Sequence, residues 1–594
     1  MEGRRGDVRR PHETRALIAE LVLARLPAPG PRLLTWSLAA AWCLLGAVPA
    51  ATRQPQAGGS PFRFVDVSAP SHLTRELLAG RPDKDHLLDS AGAGIAFLDY
   101  DRDGRLDIFM PNGWRLDGSR VVEKGRFALY HGLPDGTFED VTDRAGVGGD
   151  GAWGTGAFVA DVDGDGWPDI FVTCFGRNIL YRNQGNGTFA DVARDAGLES
   201  PGWNTGAAFF DADGDGDLDV YVAAYIAQSI DDVLHAKRTL PWKGVEMVAN
   251  GPFGMTGAPD HFFRNDGHGR FTDATGEAGF IDKALGFGFA VRAADLDGDG
   301  LVDVYVANDS DPNYLYRNEG KGHFKEVATW AGCALDEKGA SQASMGIALG
   351  DVNGDGVPDV FVTNFSEDFA TLYAGGPGGI FEDVSRATGI GPMTYKPLKW
   401  GTAFADLDND GDLDVVVANG HIYPQVDRHP EFIGTYAQRN FVAENLGKGA
   451  PLFRDATATA GPGFEEAASY RGLAVGDFDN DGDLDLLFTR LDGPPVLLRN
   501  DSPAAGTWLT VIPEGAKGEP SPIGTTVTIK AGGRTQWRDI AAGDSYLSTH
   551  DPRPHFGLGS VEIVDEVDVK WPDGTHTVKR QVEARQFLHV RKGS

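Results

Sequence analysis

Cysteine is almost absent from this chain: three in 594 residues, at Cys43, Cys174 and Cys333. So few exclude a disulfide framework. Cys174 and Cys333 sit in apolar contexts and are expected as buried thiols, their pairing being the alternative. Catalytic signatures are missing as well. No Gly-x-Ser-x-Gly elbow, no His-Glu-x-x-His pair and no phosphate-cradling glycine loop ending in Lys-Ser/Thr occurs. Positive charge is scarce, with 54 Lys and Arg against 86 Asp and Glu and a net charge of −32. Nucleic acid and anionic membrane both need a basic face, so neither is an expected partner. Long apolar runs are limited to Leu33–Val48, shorter than the roughly 20 residues a bilayer span requires.

That run follows an arginine-rich leader (Arg4, Arg5, Arg9, Arg10, Arg15, Arg25, Arg32) and precedes Val48-Pro49-Ala50, a plausible cleavage site. Residues 1–50 therefore read as a signal peptide, with an uncleaved N-terminal anchor as the alternative, and 51–61 as a linker. Trp42 ahead of Cys43 does not fit a lipoprotein attachment box. The expected location is secreted, cell-surface or periplasmic, or tethered through the retained leader.

What the chain has in abundance is one nine-residue pattern, Asp-x-Asp/Asn-x-Asp-Gly-x-x-Asp, seven times over. Positions 1, 3, 5 and 9 are Asp99, Asp101, Asp103 and Asp107; Asp161, Asp163, Asp165 and Asp169; Asp211, Asp213, Asp215 and Asp219. They continue as Asp295, Asp297, Asp299 and Asp303; Asp351, Asn353, Asp355 and Asp359. Asp406, Asp408, Asp410 and Asp414 follow, then Asp477, Asp479, Asp481 and Asp485. Carboxylates at alternate positions can converge on one hard cation, the glycine permits the sharp turn, and position 7 can offer a carbonyl. Oxygen-only donors place Ca2+ ahead of zinc or copper, and ahead of magnesium, which keeps its waters. Up to seven Ca2+ ions are thus the expected cofactors. The alternative is a set of metal-free Asp-Gly turns. β-Branched and aromatic runs such as Ile170-Phe171-Val172 follow each loop, so the loops join strands, unlike the helical EF-hand.

A longer repeat surrounds each loop. A small-residue approach such as Gly154-Thr155-Gly156 leads into a strand, the loop and a second strand. A third element (Leu180-Tyr181-Arg182-Asn183) and a fourth (Phe189-Ala190-Asp191-Val192) complete the unit. Four short strands repeated every 50–60 residues or so make the blade of a β-propeller. The seventh unit stops at Leu497-Leu498-Arg499-Asn500 without a fourth strand, while an orphan copy, Phe64-Val65-Asp66-Val67, precedes the first. The two balance only in a closed ring, which also removes exposed sheet edges. The fold class expected is all-β: a seven-bladed propeller with Ca2+-binding loops over 62–503, plus a small C-terminal β domain over 507–592.

These repeats resemble the FG-GAP (VCBS-type) repeats of integrin α-subunit heads. Residues 507–592 resemble the ASPIC/UnbV domain of the cartilage acidic protein family. Trp508-Leu509-Thr510-Val511, Gly543 with Tyr546-Leu547-Ser548, His555-Phe556-Gly557-Leu558-Gly559 and Trp571-Pro572-Asp573-Gly574 carry the second likeness. Two insertions, around Trp242-Lys243-Gly244 and Asn419-Gly420-His421-Ile422-Tyr423, also look like that family's. The C-terminal domain reads equally as a recognition module or as a cap packed on the propeller.

Seven Ca2+ ions would bring +14 and lower the net charge from −32 to −18, so much of the acidity is internal. Three function classes fit. The first is a non-enzymatic adhesion or recognition protein with an extracellular protein or glycan ligand. The second is a calcium-dependent, lyase-like polysaccharide enzyme using His421, Tyr423 or Lys243. The third is an accessory factor of an exported assembly or biosynthetic pathway. His421, Tyr423, Gln425, Asp427, Arg428 and His429 are the densest polar group, with packing of the insertion onto its blade as their plainer role. Trp242, Lys243 and Phe253 could form an aromatic platform or the insertion's own small core. His555 is expected to be structural.

Overall fold

A computed structural model describes residues 60–594 apart from 236–238, 245, 250, 282–284, 432, 504–505 and 517–521. The leader, Cys43 and most of the linker lie outside the described residues, as does the side chain of Trp242. Among the described residues no helix is long and apolar enough to cross a membrane.

Seven four-stranded antiparallel sheets follow one another along the chain. Blade 2 is representative: Trp153–Ala160, Asp169–Phe175, Ile179–Asn183 and Phe189–Asp191. Its first two strands pair from Trp153↔Phe175 to Ala160↔Asp169, with the loop spanning the turn between them. The seventh blade takes Tyr470–Gly476, Asp485–Arg490 and Val496–Asn500 and borrows Phe64–Asp66 as its fourth strand. Phe64 pairs with Asn500 and Asp66 with Leu498, so the ends of the repeat array are joined within one sheet.

The second strands are buried on both faces, which accounts for their continuous apolar character. Each blade shares a separate hydrophobic core with the next. Ile170 and Tyr181 meet Phe109 and Leu129 between blades 1 and 2, and Phe171 stacks edge-on against Phe209 between blades 2 and 3. The cluster of Ile95, Phe97, Ile108, Leu487 and Leu497 closes the ring between blades 7 and 1. Cys174 and Cys333 are buried free thiols, each inside one of these inter-blade cores.

The C-terminal domain pairs Thr507–Glu514 with His555–Gly559 and, in parallel, with Gln586–Arg591. A second sheet orders Arg534–Asp539, Thr526–Ala531, Ile563–Lys570 and His576–Glu583. The last of these gave little signal in the sequence. It is a charged edge strand, His576-Thr577-Val578-Lys579-Arg580, of the kind that blocks further pairing.

This domain is more than a cap. Its segment between Ile540 and Pro554 enters the centre of the ring and bonds to the innermost strands. Ser545 exchanges backbone hydrogen bonds with Ile347 (2.9 and 3.0 Å), Thr549 with Ile95 and Phe97 (both 3.1 Å). Leu547 O accepts from Ala157 N–H at 3.0 Å, Ala542 O from Phe209 N–H, and Val475 O from Asp551 N–H. Ser545 Oγ accepts from Thr402 N–H, and Arg292 reaches Asp539 and Asp544. All seven blades therefore hold the plug. At its tip Tyr546 is fully buried between Trp400 and Phe289, its hydroxyl donating to Ala91 O at 3.1 Å.

The glycines of the approach segments make room for this. A Cβ on Gly94 would lie 1.6 Å from Leu547 O, where no side chain fits. Gly94→Ala is expected to force the plug outward, at a cost of about 1–3 kcal/mol or more. Faster tryptic cleavage after Arg538 with a lowered thermal midpoint would show it; unchanged cleavage would refute the fit.

Candidate metal centres

The seven loops share one hydrogen-bonded frame. The position-1 carboxylate accepts the N–H of the position-6 glycine at 2.8–3.0 Å in every loop. Those glycines (Gly104, Gly166, Gly216, Gly300, Gly356, Gly411, Gly482) have φ between 86° and 94°, a turn that an L side chain rarely adopts. The position-5 carboxylate accepts the position-7 N–H, as Asp165 does from Trp167 at 2.9 Å.

Position 9 ties the loop to its blade. Asp107, Asp169, Asp219, Asp303, Asp359, Asp414 and Asp485 are all buried, at 0–2 % exposure. In each, Oδ2 accepts the position-2 N–H, at 3.0–3.2 Å. Oδ1 accepts an N–H from the end of the third strand, at 2.8–3.0 Å. One carboxylate thus pins the loop to its own blade.

Position 3 is different. Oδ1 of Asp101, Asp163 and Asp213 is buried with no hydrogen-bond partner among the described residues. A buried carboxylate oxygen left unpaired is costly, and a cation would satisfy it. Three ligand atoms lie within 4.8 Å of one another in the loops of blades 1 to 4: Asp99, Asp101 and Asp103; Asp161, Asp163 and Asp169; Asp211, Asp213 and Asp215; Asp295, Asp297 and Asp299. The donor set and the orphaned oxygens fit a hard divalent cation. Blades 5 to 7 repeat the frame bond for bond, with Asn353 supplying an amide oxygen.

Burial dominates the electrostatics. It raises Asp99 and Asp161 to about 6, and Asp107, Asp219, Asp303, Asp359 and Asp477 to about 7. Neighbouring carboxylates push the same way. Asp169, Asp406, Asp414 and Asp485 are likewise raised well above the usual carboxylate value, again by burial first.

Two residue sets that the sequence displayed without a role belong to this machinery. Arg182, Arg264 and Arg317 hold Nε 3.0, 3.6 and 2.9 Å from the position-3 carboxylates Asp163, Asp213 and Asp297. The asparagine that follows donates to the preceding blade. Asn183 Nδ2 reaches Tyr100 O at 2.8 Å, and Asn265, Asn318, Asn445 and Asn500 repeat the bond at 2.9–3.0 Å. The recurrence of Arg-Asn at the third strand's end, with Glu444-Asn445 as the exception, was the signal available.

The C-terminal domain sits directly on loops 6 and 7. Gly559 N–H donates to Asn409 O at 2.7 Å, and His555 Nε2 lies 2.7 Å from Asn409 Oδ1. Arg553 donates to Asp477 O and Asn480 Oδ1, both at 2.7 Å, and Arg534 pairs with Asp412. His555 is thus an interface residue, and burial pushes its pKa down to about 3. Asn409 and Asn480 stand where the other loops have Gly or Arg102, all with positive φ.

The second insertion is packed, not open. His421 is fully buried, its Nδ1 accepting from Tyr423 N–H at 3.0 Å, and burial lowers its pKa to about 3. Tyr423 joins the aromatic cluster at the ring's mouth with Trp203, Tyr225 and Trp400. Gln425 donates to Asp83 O, Asp427 accepts from Tyr436 N–H, and His429 pairs with Glu431, while Arg428 is exposed. Lys243 is paired with Glu367. Phe253 is 66 % exposed.

Comparison with known proteins places these features. Residues 120–172, 161–222, 295–362, 351–417 and 426–488 match the FG-GAP-like repeat, and residues 515–594 match the ASPIC and UnbV domain. Cartilage acidic protein 1 of Mus musculus is 28 % identical over 323 residues, covering 54 % of this chain and 46 % of that protein. The Homo sapiens protein is 29 % identical over 324 residues, covering 54 % and 45 %. The chain thus spans about half the length of these relatives. A solved lectin of Agrocybe aegerita, which recognises non-reducing terminal N-acetylglucosamine, is similar at 17 % identity and a TM-score of 0.36. It covers 61 % of this chain and 80 % of its own, and at that score it bears on nothing further.

Positions 3 and 9 should separate ligand from tie. Asp163→Ala is expected to reduce cation uptake with little loss of stability in chelator. Asp169→Ala strands two buried N–H groups and should cost about 2–6 kcal/mol even without metal. Urea unfolding of both variants in EDTA checks this; equal stabilities would refute the division. The raised carboxylates also fix a sign. Their folded-state pKa values exceed the unfolded value, so their contribution is full below about pH 4 and is lost as pH rises through about 6–7. The gap between thermal midpoints with and without Ca2+ should therefore widen from pH 5 to pH 7.5, and a constant gap would count against it.

Proposed function

As an FG-GAP-like repeat protein with a C-terminal ASPIC and UnbV domain, related to cartilage acidic protein 1, this chain is, we propose, an exported calcium-binding recognition or adhesion protein without catalysis. The observation that carries the proposal is the sevenfold loop frame at one end of the ring, with buried, unpaired oxygens on Asp101, Asp163 and Asp213. Seven Ca2+ ions would neutralise carboxylates that otherwise repel one another in partly dehydrated turns. Calcium sites of extracellular modules bind at about 10⁻⁴–10⁻³ M, which suits calcium-rich surroundings and hence export. Relatives named for cartilage agree with a place outside the cell.

The lyase-like alternative asks His421, Tyr423 or Lys243 to meet a substrate. Burial of the first two and the Lys243–Glu367 pair count against it. Recognition instead draws on the exposed rim of the insertions, where Phe253 presents its ring to solvent. The ligand class is an extracellular protein or glycan.

Equilibrium dialysis of residues 51–594 in millimolar Ca2+ should find up to seven bound ions, and EDTA should lower the thermal midpoint. No uptake at millimolar Ca2+ would sink the calcium reading. A glycan array in Ca2+ and again in EDTA tests recognition. Calcium-dependent binding weakened by Phe253→Ala supports a glycan ligand, whereas silence from folded protein removes glycans and leaves protein ligands.

A further inference from the structure

In blades 2, 3 and 4 the third-strand residue facing position 3 is an arginine, held against Asp163, Asp213 or Asp297. Blade 1 puts His131 at that place. Its Nδ1 lies 3.1 Å from Asp107 Oδ1 and 3.5 Å from Asp101 Oδ2. Ligand atoms of Asp101, Asp107 and His131 all fall within 4.8 Å of one another. Asp101 Oδ1 is buried and has no hydrogen-bond partner, and His131 itself is 15 % exposed. The imidazole is held edge-on against the Tyr100 ring at 5.9 Å, so packing sets its tilt.

These separations are informative. Two donors bound to one tetrahedral ion at about 2.0–2.1 Å stand about 3.3 Å apart. The two nitrogen–oxygen distances at His131 bracket that value. A ring nitrogen also changes which ion the set prefers. Oxygen donors alone suit calcium, whereas imidazole suits zinc and its first-row neighbours.

We propose that the blade 1 loop is a site for a divalent transition ion of the zinc class, with His131, Asp101 and Asp107 as its protein ligands. Nε2 of His131 lies 3.9 Å from Asp103 Oδ2, beyond direct hydrogen-bond reach, and Arg105 pairs with that same oxygen. The proposal rests on reading the loops as cation sites and adds that they are not alike. The competing explanation is that His131 is only a cationic stand-in for the arginine of other blades.

The test is titration of the full chain with Co2+ in millimolar Ca2+, followed by visible absorption, with Zn2+ as competitor. One equivalent of Co2+ should bind selectively and be displaced by Zn2+. Loss of even an outer partner costs about 10–100-fold in metal affinity, so His131→Ala should weaken Co2+ binding by at least about tenfold. His131→Arg, which restores the residue of blades 2 to 4, should do the same with the fold intact. Ca2+ uptake by the remaining loops should persist in both variants. Ca2+ uptake without selective Co2+ binding, or Co2+ binding unchanged in both variants, overturns this proposal alone. Absence of Ca2+ uptake with selective Co2+ binding retained would sink the calcium reading and leave this one standing.

Discussion

The structure depends on one repeated bond, the buried carboxylate at position 9 of each loop accepting two backbone N–H groups. One comes from the loop's own second residue and the other from the end of the third strand. Because both donors are buried, the carboxylate cannot be lost without leaving them unpaired. The bond fixes where the first and second strands part and therefore where positions 1, 3 and 5 stand. Each blade carries its cluster of carboxylates as a consequence of how it folds. In five blades the asparagine at the third strand's end extends the tie to the preceding blade, so loop geometry and ring geometry are determined together.

Closure makes those ties mutually dependent. Every blade shares a hydrophobic core with both neighbours, and the strand at Phe64–Asp66 joins the last blade to the first. The plug from the C-terminal domain then touches the innermost strand of all seven blades. Such a segment resists opening of the ring because it must be withdrawn from every blade at once. Its bonds are mainly to backbone, so its fit depends on small approach residues such as Gly94 more than on any one side chain.

Charge works against this compactness. Carboxylates gathered at one end of the ring are raised in pKa chiefly by burial, and their repulsion adds to it. Arg182, Arg264 and Arg317 offset part of the cost within their own blades, and Arg534 and Arg553 bring the C-terminal domain onto loops 6 and 7. The seven loops thus share a frame and differ in surroundings. Blade 1 has an imidazole, blades 2 to 4 a guanidinium, blades 6 and 7 a covering domain. Differences of this kind separate ion affinities among sites of the same sequence pattern.

Much of this was legible in the sequence. Seven Asp-rich loops between β-branched runs, a Phe-x-Asp-Val strand displaced to the N-terminus, and glycine at position 6 determine blade number, closure and where the loop carboxylates stand. They do so because those features are local: period, turn conformation and strand preference act over a few residues. The Arg-Asn pair was visible as a recurrence, and its purpose was not, since the arginine's carboxylate lies on an earlier loop of its own blade and the asparagine's partner a blade away. The plug was invisible for the same reason. Gly543 and Tyr546-Leu547-Ser548 carried only a family likeness in the sequence, and only contact with residues hundreds of positions earlier makes them the axle of the ring. Burial of His421, exposure of Phe253 and the place of His131 beside Asp101 and Asp107 were likewise decided by tertiary structure. Solvent access and donor convergence depend on distances across the ring, which a linear pattern does not contain.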